Sequence, residues 1–166
     1  MNEIYGIHVA CALLGAILFS GTNERDANLP GKARQIEKKT GDESVTVETL
    51  KEILEAFNRH DLDAIMEYFS DECSFDFPRG PEPWGQRFIG KDQVREALAG
   101  RFKGIPDVHY GEDRHWVAAN RGVSEWTLTG TTTSGVGVKV RGCDLWEFRN
   151  GKVVRKDSYW KIVERH

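Results

Sequence analysis

The chain has 166 residues, one domain's worth, and its 23 Lys+Arg against 26 Asp+Glu leave a net charge of −3. No run of like charge occurs, so the electrostatic footprint of a nucleic-acid or anionic-membrane binder is missing. The 39% apolar and 30% charged content suits a globule, and three scattered cysteines (Cys11, Cys73, Cys143) without a CxxC argue against a disulfide framework or a zinc site.

Residues 1–45 read as an apolar N-terminal segment followed by a flexible linker. Val9 to Phe19 (VACALLGAILF) is an apolar run of signal-peptide length, but the stretch before it carries Glu3 and no Lys or Arg. An unusual export signal, an amphipathic anchor and a translated stretch upstream of the true start all fit it. Thr22 to Ser44 is polar and has the composition of a linker. The expected location is cytoplasmic, or exported or membrane-anchored if residues 4–19 act as a signal. Membrane contact is expected only if that segment is retained.

The domain is expected over 46–164. Thr46 is a good N-cap, and Val47, Leu50, Ile53, Leu54 and Phe57 recur at helical spacing. Asp61 caps a second short helix with Leu62, Ile65, Met66 and Phe69 inward. Cys73 to Phe77 alternates as a strand that stops at Pro78, and Arg79 to Gly90 (RGPEPWGQRFIG) reads as a loop. The spacing predicts a third helix over 91–102, with Val94, Leu98 and Phe102 on one side. Four long stretches rich in Val, Thr, Trp and Tyr follow, 107–118, 122–133, 136–148 and 152–163, separated by turn residues. Helices followed by an antiparallel meander make an α+β order, and such a sheet curls into a cone with a hollow inside.

The facing of the last hairpin decides every candidate site residue. A three-residue loop, Arg149 to Gly151, sets Trp146 opposite Val154, Val140 opposite Trp160 and Asp144 opposite Lys156. That register sorts a dry face from a wet one, whereas a plain two-residue turn mixes them, so the former is expected. Asp144, Lys156 and Ser158 then sit within an otherwise apolar face, with Ser124, Trp126 and Leu128 facing inward on the neighbouring strand. The stretch 107–118 is mixed on both faces and its facing stays open.

Two stretches carry a resemblance. Phe57–Pro78 (FNRHDLDAIMEYFSDECSFDFP) resembles the two-helix entry of the nuclear transport factor 2-like superfamily. Asp144–Trp160 (DLWEFRNGKVVRKDSYW) resembles the closing hairpin of its SnoaL-like and ketosteroid-isomerase-like branches. The resemblance implies a cystatin-like roll: a curved antiparallel sheet packed with three N-terminal helices around a small-molecule pocket. It also implies that Asp144 matches a strand position holding an acid in the isomerases and a polar acid–base residue in the cyclases. Ser158 matches the cyclases' second acid–base position. Departures are plain: Ile53 stands where the isomerase has Tyr, and Phe77 where it has its base, with Asp76 one place off. Lys156 beside Asp144 should hold the carboxylate ionised, against what the isomerase arrangement needs.

The expected catalytic residues are therefore Asp144 and Lys156. The expected ligand-binding residues are Trp84, Trp126, Val140, Trp146, Val154, Ser158 and Trp160. A structural Asp144–Lys156 ion pair and core roles for the tryptophans compete with these assignments. The five histidines show no HxH or HExxH spacing, so no metal is expected, and no cofactor. Two functions fit: a SnoaL-like enzyme moving a proton next to a carbonyl, an isomerase, cyclase or related lyase; or a non-catalytic pocket protein of that fold. The expected ligand is a small apolar or cyclic carbonyl-containing molecule, and the sheet is the expected surface of a homodimer.

Overall fold

In the computed structural model the described residues are 44–164. They form α1 (Val47–Asn58), α2 (Leu62–Glu67), β1 (Phe69–Glu82), β2 (Gly85–Ile89), α3 (Lys91–Gly104), β3 (His109–Ala118), β4 (Arg121–Thr131), β5 (Gly137–Arg149) and β6 (Lys152–Trp160). The expectations for residues 1–43 lie outside the described residues. No described helix is long and apolar enough to cross a membrane.

α1 starts where expected. The Thr46 Oγ1 accepts from the Thr49 amide at 3.2 Å, and Leu50, Ile53, Leu54 and Phe57 are buried. α2 is capped by Asp61, whose Oδ1 accepts from the Ala64 amide at 3.0 Å. The sheet runs β2-β1-β6-β5-β4-β3, antiparallel except for the parallel β1–β6 pair. That one parallel neighbour returns the chain from the meander to β1 and gives the α+β roll its six strands.

The expected loop over 79–90 is instead a hairpin. β1 continues through Pro78 and Pro81 to Glu82, turns at Pro83–Trp84, and pairs back through β2. Proline is tolerated here because the register is broken between Phe77 and Glu82, where no ladder amide is needed.

The closing hairpin has a different turn from the expected one. Asn150 and Gly151 both adopt positive φ, 52° and 71°, which is the two-residue turn that twists with its strands. A bulge on β6 at Val154 then shifts the pairing by one residue, so that Glu147 faces Arg155, Trp146 faces Lys156, Asp144 faces Ser158 and Gly142 faces Trp160. The expected partners were wrong by two places, yet from Arg155 onward the expected faces hold, because a shift of two preserves the alternation. Before the bulge they are exchanged, with Val153 rather than Val154 buried in the core.

A second bulge explains why β3 could not be read. The register breaks between Gly111 and Arg114, so Val108 and Tyr110 face the core before it, whereas His115 turns inward after it and Trp116 stays half exposed.

Candidate functional site

Asp144 projects into the core with its carboxylate surrounded by donors. Trp126 Nε1 donates at 3.0 Å, Ser158 Oγ donates at 2.5 Å, and the Lys156 ammonium makes a direct charge-assisted bond. Lys156 also donates to Ser158 Oγ at 2.6 Å, closing a triangle of the three side chains. Both charged side chains are about 95% buried, at 5% and 4% exposure. Burial lowers the Lys156 ammonium from its ordinary range, and the Asp144 carboxylate works against that. The Lys156 Nζ also lies 4.8 Å from the Phe75 ring and 5.1 Å from the Trp146 ring, so aromatic faces complete its surroundings.

Lys156 and Ser158 line a small interior cavity together with Phe57, Phe75, Phe77, Leu98, Arg101, Tyr110, Trp126 and Trp160. Its volume of about 10 Å³ is room for roughly one water molecule. The space that Gly142 opens in β5 is taken by Trp126: a Cβ there would collide with that indole and with the Tyr159 carbonyl. The glycine is thus what lets Trp126 lie flat across β5 and reach Asp144.

The sequence-predicted residues separate into two groups. Asp144, Lys156, Ser158, Trp126 and Trp160 gather around the cavity, with the Trp126 and Trp160 rings 6.2 Å apart, edge to face. Trp146 is buried one layer away, its Nε1 donating to Ser124 Oγ at 2.9 Å. Val140 packs against the core opposite Leu128, and Val154 sits at the bulge; neither lines the cavity. Trp84 is half exposed on the β1–β2 turn with Arg87 5.6 Å over its ring, outside the cavity lining. Being at the bulge, Val154 leaves Lys156 opposite Trp146, which is why the Asp144–Lys156 contact is diagonal rather than directly across.

Three groups escape a reading by motif. Arg101 on α3 lines the cavity and also, with Phe77, Gln86, Phe88, Ala97, Gly100, Gly104 and Ile105, an open groove of about 360 Å³. Its sequence signal is a charge on the apolar stripe Val94, Leu98, Ile105 of a helix. Asp76, fully buried on the other side of the sheet, is gripped by Arg87 at 2.5 and 2.8 Å and by Arg155 at 3.0 and 2.8 Å. Burial alone would raise the Asp76 carboxyl, but those hydrogen bonds and charges outweigh it and hold it below its usual range. His115 bridges Asp113 at 2.8 Å and Ser124 Oγ at 2.9 Å, and that hydroxyl, buried beneath Trp146, has no opening to a substrate.

A family profile described as the SnoaL-like domain matches residues 50–156. No curated protein matches the chain significantly. Among solved structures, a candidate polyketide cyclase from Pseudomonas putida is 17% identical, covering 70% of this chain and 91% of that one, with a TM-score of 0.63. A candidate polyketide cyclase from Xanthomonas campestris pv. campestris is 20% identical over 68% and 87%, at 0.61. An NTF2-like protein of unknown function from Burkholderia pseudomallei is 24% identical over 69% and 88%, also at 0.61. At these identities the likeness is one of fold.

Proposed function

Because this chain belongs to the SnoaL-like domain family, a branch of the NTF2-like folds, we propose that its cone binds a small cyclic carbonyl compound and moves a proton next to the carbonyl without a cofactor. The observation that carries this reading is the triangle of Asp144, Lys156 and Ser158, two of whose members line the interior cavity. An ammonium has three N–H bonds, and two of those on Lys156 go to Asp144 and Ser158; the third is left to steady an enolate oxygen. Asp144 takes the substrate's α-proton by way of the Ser158 hydroxyl, which lies 2.5 Å from its carboxylate, and returns it at the new position. Trp126 and Trp160 are the apolar walls of this site.

The cavity's volume of about 10 Å³ favours a second reading, a ligand-binding module without turnover whose ligand stays in the outer groove. One experiment distinguishes them. The full chain is incubated with 2-tetralone in deuterium oxide and exchange beside the carbonyl is followed by NMR. Acceleration by the wild type that is lost in Lys156→Met and Ser158→Ala supports the enzyme. Binding of the ketone without exchange supports the module, and neither binding nor exchange refutes both.

A further inference from the structure

The interior cavity and the outer groove meet at Arg101, which lines both. Its guanidinium lies 4.2 Å from the Trp160 ring centroid and 4.8 Å from that of Phe77, against two rings tilted 53° to each other. Its Nη1 is buried and has no hydrogen-bond partner, and no described carboxylate forms an ion pair with it. Withdrawing a cation's N–H from water without a hydrogen-bond partner is unfavourable, and ring faces offset only part of that.

The surrounding charges make the imbalance larger. Lys156 lies deeper in the same cavity, and the Arg79 guanidinium lies 5.8 Å from the Trp160 ring centroid. The linings of cavity and groove include no carboxylate among the described residues. Asp144, just behind, is already engaged by Lys156, Ser158 and Trp126. Arg101 therefore stands as a net positive charge at the junction.

Two glycines leave part of the α3 side of the groove without side chains. Gly100 and Gly104 face it from α3, and a Cβ at either position would meet nothing within 4 Å. The space they leave is bounded by Phe77 and Phe88. We propose that this groove takes a planar organic anion, whose ring lies on the two glycines and whose negative group is received by Arg101. The inference rests on the small-molecule reading above and adds the charge of the ligand to it.

The test uses two probes with the same rings: 1-anilinonaphthalene-8-sulfonate and its neutral counterpart N-phenyl-1-naphthylamine. Affinities for the full chain are measured by fluorescence titration. The wild type should bind the sulfonate at least about tenfold more tightly, one opposite-charge contact's worth. Arg101→Met should bring the two probes within about twofold of each other, and Arg101→Lys should restore part of the preference. Gly100→Leu, which keeps Arg101 and fills the groove, should weaken both probes. Equal affinity of the wild type for the two, a preference that survives Arg101→Met, or indifference to Gly100→Leu overturns the assignment while leaving a neutral-ligand pocket standing. If neither probe binds, the pocket reading falls with it.

Discussion

Removing Asp144 should expose how much of the domain's stability hangs on one buried charge pair. In Asp144→Leu the Lys156 ammonium, about 95% buried, loses its counter-ion and keeps only Ser158 and the aromatic faces. Breaking a buried pair from one side costs about 3–5 kcal/mol. At about 4 °C per kcal/mol for a domain of this size, Tm should fall by roughly 12–20 °C. Adding Lys156→Met removes the stranded charge. What stays unpaired is then the Trp126 indole N–H and the Ser158 hydroxyl, each worth about 1–3 kcal/mol, but both have already lost their acceptor in Asp144→Leu. The double variant should accordingly be more stable than Asp144→Leu alone, by about 2 kcal/mol, in guanidinium unfolding followed by tryptophan fluorescence. If the double variant instead loses the sum of the two single losses, the side chains do not act as a pair and the electrostatic account of this site fails.

Other perturbations probe the surrounding scaffold. Gly142→Ala should cost about 1–3 kcal/mol, since the added methyl has only the Trp126 ring and the Tyr159 carbonyl to displace; an unchanged unfolding midpoint would contradict the packing described. Asp76 is held below its ordinary carboxyl range, so its contribution to stability is complete above about pH 4 and is lost as pH falls through the lower folded value. The wild type should therefore show a loss of Tm on acidification below about pH 4 that is reduced in Asp76→Asn, whereas parallel acid profiles for the two proteins would count against it. Arg101→Met should raise Tm of the ligand-free protein, because it removes a half-buried cation whose Nη1 is buried without a partner; a lower Tm would mean that the ring contacts outweigh desolvation.

The helices and the dry face of the closing hairpin were legible because both are periodic. Thr46 and Asp61 announce their helices by capping chemistry, and Asp144, Lys156 and Ser158 stand out as polar residues in an apolar alternation. What escaped was non-periodic. The bulges at Val154 and at Glu112–Asp113 change the phase of a strand midway, so no single alternation describes β6 or β3. The β1–β2 hairpin was hidden by prolines that a register break accommodates. Arg101 was visible as a charge on an apolar stripe, but its importance depends on Trp160 and Phe77 coming from distant strands. Trp126 fills the space beside Gly142, a contact between neighbouring strands that spacing along one strand cannot reveal.

The extra residue in β6 acts on the strand as a single insertion acts on a reading frame. After a two-residue turn, an uninterrupted strand would send Arg155 and Asp157 into the cone and turn Lys156 and Ser158 out to water; Val154 restores the frame in which the opposite holds. It follows that the residues of β6 are not equally dispensable. Deleting Val154 joins Val153 to Arg155 while leaving Phe148 opposite Val153 and Glu147 opposite Arg155, so the frame survives and the deleted chain should still melt cooperatively. Deleting Asp157, only three positions on, has no such compensation. It would expel Ser158 and Trp160 from the interior and draw Tyr159 in, and the circular dichroism of that chain should be that of an unfolded protein.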